Sequence, residues 1–383
     1  MIDPITLATN LIRCPSVTPE DHGALGVMQT ALESLGFTCT RLPFSESGHP
    51  TVDNLYARLG TVGPHLAFAG HTDVVPVGDA AAWSVEPFGG IVKDGFLYGR
   101  GAEDMKTALA CMVSAVATFL SSSLIAHRSS PSISFIITGD EEGYAINGTR
   151  KMVKWMQERG IKPDACIVGE PTNPEHIGDM VKIGRRGSLS VKLIVRGKQG
   201  HAAYPHLADN PVTRLIDIVH ELKHTVIDQG TDFFQPSNLE ITSIDVGNPV
   251  KNVIPAQATA NVNIRFNDRH SSESMLRWLD EVATTYAPGA FAWETLSAFE
   301  PFLTPPGRLS TIMSEAVQAA TGRTPQLSTT GGTSDARFIK DICPVAEFGT
   351  TGGRAHMVDE RVSVDDVRLL TNCYVEVLQR FFG

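Results

Sequence analysis

Residues 138–144 read TGDEEGY directly after the apolar run ISFII, so Asp140, Glu141 and Glu142 stand side by side at the mouth of an expected strand. The motif recurs in thinner form along the chain. His71 and Asp73 follow HLAFAG, Asp104 sits in the loop GRGAEDMK, Glu170 ends DACIVGE, and His356 follows PVAEFG after a short glycine-rich stretch. Singly, each has an ordinary explanation: a solvated acidic turn, a helix cap at Asp104, a hydrogen-bonded loop histidine. Together they gather acids without a matching set of Lys or Arg. In a crevice sheltered from water, such crowding is strongly unfavourable or forces protonation. A divalent cation removes the difficulty.

Mixed His and carboxylate donors, with no Cys among them, suit Zn²⁺ in a catalytic rather than a structural site. Five candidate ligands, His71, Asp104, Glu142, Glu170 and His356, are too many for one tetrahedral ion. They suit two ions sharing one bridging carboxylate, a pair able to activate a water and polarise a carbonyl together. Within the acidic triplet one acid would bind metal and a neighbour would stay free as general base; spacing alone leaves open which Glu does which. The H-x-D spacing lets Asp73 accept a hydrogen bond from the second ring nitrogen of His71 and fix its tautomer.

The elements that must position these residues alternate strand and helix. Helices are expected over about 3–13, 21–35 and 106–121, with FTCTRL, NLYARLG, HLAFAG, ISFIIT and DACIVGE as strands. Such alternation predicts an α/β layer on a mixed, mostly parallel sheet, whose ligand crevice lies at the carboxyl ends of the strands. Near Gly184 the texture changes. LSVKLIVRGKQ alternates with period two, PVTRLIDIVHELKHTV has helical spacing, and NLEITSIDVG and ATANVNIRF read as antiparallel strands. The alternation resumes after Ala298. Residues 1–183 and 298–383 are therefore expected to form one α/β domain, interrupted by a smaller α+β module over 184–297.

A length of 383 residues favours two domains. The net charge of −10 argues for solubility and against a nucleic-acid partner, and the densest basic patch, KIGRR, is short. None of the six cysteines forms a C-x-x-C pair. MIDPITLATNLIRC lacks the basic flank and long apolar region expected of a secretory signal, and TALACMVSAVATFLSSS is too short and too interrupted by Ser and Thr to be expected to span a bilayer. These features point to a reduced, cytoplasmic setting with no membrane partner. A two-ion phosphatase would need phosphate-cradling Lys, Arg or glycine-rich helix starts near the metals, and no convincing one is present.

GHTDVVPVGD, WSVEPF, LYGRGAEDMK, GDEEGYAINGT, VGEPT, GKQGHAAYPH, KNVIPA and GGTSDARF together resemble a di-zinc metallopeptidase family. That family includes aminoacylases, acetylornithine deacetylases and carboxypeptidase G2-like enzymes. The likeness runs from about residue 4 to the C-terminus, and GRRGSLS, GKQGHAAYPH, VKNVIPA and GGTSDARF look specifically like its desuccinylase branch. The resemblance implies a zinc-peptidase-like catalytic domain and an inserted dimerisation or lid domain, hence a homodimer. It implies two Zn²⁺ per subunit, with Co²⁺ a possible substitute: His71 and Glu170 on one, Glu142 and His356 on the other, Asp104 between them. Glu141 would be the general base and Asp73 the partner of His71. His201 would reach the partner subunit's site and stabilise the oxyanion. Arg185, Tyr204, Asn252, Gly332, Thr333 and Ser334 would bind substrate, Arg185 gripping a carboxylate.

The implied reaction is hydrolysis of the amide in a small molecule, N-succinyl-LL-2,6-diaminopimelate. The alternative is a related N-acyl amino acid, as in an acetylornithine deacetylase or aminoacylase. The chain departs from the branch at Gly352 and over Met357–Glu360, and carries Glu103 and Thr107 where Ala and Gly are usual.

Overall fold

A computed structural model of the chain describes residues 2–122 and 131–383. The first part runs α1 (Pro4–Ile12), α2 (Ala24–Ser34), β1 (Thr38–Arg41), β2 (Leu55–Leu59), β3 (His65–His71), α3 (Lys106–Ser121), β4 (Ser132–Thr138), α4 (Thr149–Glu158), β5 (Ala165–Val168) and β6 (Met180–Lys182). Then come β7 (Gly187–Arg196), α5 (Pro211–His224), β8 (Asn238–Asp245), β9 (Gln257–Phe266), α6 (Ser272–Tyr286) and β10 (Phe291–Phe299). The chain closes with α7 (Arg308–Thr321), β11 (Gln326–Ser328), β12 (Val345–Glu347) and α8 (Val364–Phe382).

The first and last groups share one eight-stranded sheet, in the order β1-β2-β4-β3-β5-β12-β6-β11. It is mixed and mostly parallel, as expected: β3 runs parallel to β4 and β5, and β5 to β12, while β1, β2 and β4 pair antiparallel. β3, β4 and β5 are buried along their whole length, which is why they read as unbroken apolar runs. The apolar α3 is buried almost throughout, packed against α1 and α8. No helix among the described residues is long and apolar enough to cross a membrane.

Strand register sets the level at which the chemistry emerges. His71 pairs with Thr138, Ala69 with Val168, and Val168 with Glu347. The segments that follow, HTD, GDEE, GE and FGTT, therefore leave four neighbouring strands on the same side. Gly349 permits their close approach: an added Cβ would sit 2.2 Å from the Gly169 carbonyl oxygen and 2.4 Å from that of Glu170.

The second compact unit comprises Gly184–Leu303 and Thr329–Thr333. Its antiparallel sheet has the order β8-β9-β7-β10. Leu189, Val191, Leu193 and Val195 of β7 alternate into a core shared with Leu215, Ile218 and Leu279 of α5 and α6. The unit runs past the expected boundary at 297. FAWETLSAF forms the edge strand β10, and Phe302–Leu303 then pair back onto Gly184–Arg185.

At the opposite end of β3 from His71, His65 is buried between the Ser134 hydroxyl (2.8 Å) and Arg58 (2.9 Å). Burial, then the Arg58 charge, lower its pKa from 6.5 to about 4. The unfolded chain takes up this proton first, so the contribution is complete above pH 6.5 and is lost as pH falls towards 4. That loss is at most about 3 kcal/mol. In urea unfolding at pH 7 and pH 4.5, His65→Gln should show a correspondingly smaller drop in stability than the native chain.

Candidate metal centre

His71 ends β3 and is 1% exposed. Its Nδ1 lies 2.9 Å from the main-chain carbonyl oxygen of Asp73 and 3.7 Å from the Asp73 carboxylate. This differs from the expected carboxylate bond: at a two-residue spacing the backbone folds back, and the carbonyl reaches the ring first. The Asp73 carboxylate instead accepts the amides of Glu141 at 3.2 Å and Glu142 at 3.0 Å. It thereby ties the acidic turn to the end of β3.

The acidic triplet divides its work. Asp140 is buried and accepts the amides of Ala145, Ile146 and Asn147, so its carboxylate folds the loop. Glu141 and Glu142 go to the cluster. Donor atoms of His71, Asp104 and Glu142 all lie within 4.8 Å of one another, as do those of His71, Glu141 and Glu170.

Asp104 is the centre of the arrangement. Its Oδ1 lies 3.1 Å from His71 Nε2, and its Oδ2 lies 3.4 Å from His356 Nε2. One carboxylate thus offers a different oxygen to each imidazole. His356 Nε2 is also 2.8 Å from Glu142 Oε1, and His71 Nε2 is 4.0 Å from Glu170 Oε1.

A residue that sequence reading missed holds Asp104 in place. Glu360 is fully buried and accepts the amides of Gly101, Glu103 and Asp104 at 2.8–3.1 Å, and Arg100 at 2.7 Å. The available signal was indirect: a buried loop such as GRGAEDMK has amides that need acceptors.

The electrostatics all favour added positive charge. Hydrogen bonds that its ring N–H donates to the Asp104 and Glu142 carboxylates raise His356 to about 10. Burial alone would depress His71, but Asp104, Asp73 and Glu170 hold it well above its usual value. Burial pushes Glu141 well above the carboxylate range, with Glu170, Asp335 and Glu142 adding to it, and raises Asp73 to about 6. Oxygen and imidazole donors on both sides of one carboxylate, with positive charge in demand, fit a pair of divalent cations.

The remaining expected site residues are divided between the two units. In the second unit Arg185 is buried and donates to the Gly332 carbonyl at 3.1 Å; Thr333 is half-buried. His201 pairs with Val253, and the Asn252 carbonyl accepts the Ala202 amide at 2.9 Å. His201 Nδ1 accepts the Ala203 amide at 3.0 Å, which leaves the proton of the neutral ring on Nε2. Its ring centre is 5.5 Å from that of the exposed Tyr204. In the first unit Ser334 is fully buried, its hydroxyl donating to the Glu347 carboxylate.

The model of peptidase family M20/M25/M40 matches residues 67–380. This chain belongs to that family. A relative from Rhodospirillum centenum, named succinyl-diaminopimelate desuccinylase, is 59% identical over 384 residues, covering 100% of this chain and 98% of its own. Among solved structures, aminopeptidase PepT from Bacillus cereus superposes with a TM-score of 0.79 at 18% identity, covering 100% of both chains. The Bacillus subtilis YxeP protein, a dinuclear metal-binding M20 peptidase, superposes at 0.71 with 16% identity, covering 99% of this chain and 98% of its own. At those identities the structures speak for the M20 fold alone. Membership of the M20 family makes the chain a hydrolase, and with the donor set it supports a metal cofactor.

Replacing Glu360 by Gln should leave Arg100 and the loop amides poorly matched. Removing one partner of a buried pair costs about 3–5 kcal/mol. Urea unfolding of Glu360→Gln should show a loss of that size, and the variant should hold metal less tightly.

Proposed function

We propose that the chain hydrolyses the amide bond of N-succinyl-LL-2,6-diaminopimelate, releasing succinate and LL-2,6-diaminopimelate. The observation that carries the chemistry is the Asp104 carboxylate with one oxygen toward His71 and the other toward His356. What supports the substrate is the full-length likeness to the Rhodospirillum centenum relative of that name.

In this reading His71 and Glu170 would hold one Zn²⁺, Glu142 and His356 would hold a second, and Asp104 would serve both, with Co²⁺ able to replace Zn²⁺. Bound there, such ions lower the pKa of a water and polarise an acyl carbonyl. Glu141 is the base in this reading, and the 2.8 Å contact of Glu142 with His356 supports giving Glu142 the ligand role. Glu141 takes a proton from the attacking water and returns it to the departing amine nitrogen, while the water's oxygen stays in the new succinate carboxylate. Asp73 keeps Glu141 aimed by holding its amide.

Within the same proposal His201 reaches the partner subunit's site and donates through Nε2 to the developing oxyanion there. Arg185, Tyr204, Asn252, Gly332, Thr333 and Ser334 form the substrate-binding set, to which Ser334 contributes by shaping its turn. The inserted unit serves as dimerisation and lid domain of a homodimer, and the enzyme works in the cytoplasm.

Glu141→Gln should keep its full complement of metal while turnover falls about 10²–10⁴-fold, the usual contribution of a general base; near-native turnover would remove Glu141 from that role. Assayed side by side, N-succinyl-LL-2,6-diaminopimelate should be turned over far faster than N-acetylornithine. The reverse preference would move the chain to the acetylornithine deacetylase or aminoacylase reading.

A further inference from the structure

Two buried carboxylates fasten the loop that carries His356, and neither is a candidate ligand. Glu360 closes its far end. Glu103, 2% exposed, takes hold of its beginning. Its Oε1 accepts the Thr351 hydroxyl at 2.9 Å, and its Oε2 accepts the Arg354 amide at 2.5 Å. Its main-chain carbonyl accepts the Thr350 hydroxyl at 2.6 Å, and its amide donates to Glu360 at 2.8 Å.

The loop needs such a restraint. Residues 352–360 contain no helix or strand, and Gly352 and Gly353 are exposed neighbours with wide backbone freedom. His356 is half-exposed and has a φ of +65°, an uncommon value for a residue with a Cβ. Glu103 is also the residue before Asp104. A single dipeptide therefore presents the shared carboxylate with one member and anchors the approach to His356 with the other.

We propose that Glu103 is a positioning residue for the Asp104–Glu142–His356 metal site and sets the affinity of that site separately from the His71–Glu170 site. The inference rests on the two-metal reading above. The asymmetry has a physical source. His71 is the buried end of a central strand and is oriented by main chain, whereas His356 depends on loop contacts that Glu103 supplies. Residues that orient a metal ligand from behind typically contribute about 10–100-fold in affinity.

The test is titration of the chelator-stripped full chain with Zn²⁺, followed by calorimetry and by competition with a chromophoric chelator. Glu103→Gln preserves volume but leaves one oxygen to serve two donors. Its second ion should bind about 10–100-fold more weakly while the first keeps its native affinity. At limiting Zn²⁺ its kcat should fall with KM unchanged, and excess Zn²⁺ should restore it. Thr351→Val, which removes only one donor, should shift the second ion in the same direction by less. Native affinity for both ions in Glu103→Gln would overturn the proposal. Equal weakening of both ions alongside a lower unfolding midpoint would also overturn it, as the mark of a merely structural role. A native chain that binds fewer than two ions would show, before any variant is made, that the two-metal reading itself has failed.

Discussion

Repulsion between carboxylates at one rim of the sheet is the constraint around which the first unit is arranged. Asp104, Glu141, Glu142 and Glu170 converge where water is scarce, and the imidazoles of His71 and His356 are the positive partners the chain itself provides. Both histidines are held well above their usual pKa, and Glu141 is driven towards its protonated form. Left to protons alone, the cluster balances its charge in a way that disables a base. Divalent cations would balance it while leaving Glu141 free to accept a proton.

Much of the surrounding structure exists to hold that unfavourable grouping together. Level register across β3, β4, β5 and β12 brings the donor segments out side by side, and Gly349 lets the chain pass close behind Glu170. Other carboxylates are spent on the backbone. Asp140 folds the acidic turn, Asp73 tethers it to β3, and Glu103 and Glu360 bind the Asp104 loop to the His356 loop. The amides these acids accept offset part of the penalty of burial, which still raises Asp73, Glu103 and Glu360 above the usual carboxylate range.

Legibility in the sequence follows the range of the interaction. Fully buried strands announce themselves as apolar runs, and donors placed just after them are visible as polar interruptions, so β3, β4 and β5 and the candidate donors that follow them could be read directly. The three-residue β6 and β11 were not among the expected strands. The partners of those donors could not. Glu360 finds Asp104 across more than 250 residues, and Glu103 reaches forward to Arg354 over a similar span. Nothing in either local sequence encodes that meeting. The bond from His71 Nδ1 to a main-chain carbonyl was hidden for another reason, because spacing names a side chain and not the path of the backbone. The late edge of the second unit was obscured because FAWETLSAF, an exposed edge strand, lacks clean alternation.

Anomalous diffraction at the zinc edge from crystals of the native enzyme would test the central claim most directly. Two peaks should flank the Asp104 carboxylate, one beside His71 and Glu170 and the other beside Glu142 and His356. A fully active enzyme with no peak at this cluster, or with metal bound only at a distance from Asp104, would contradict the account.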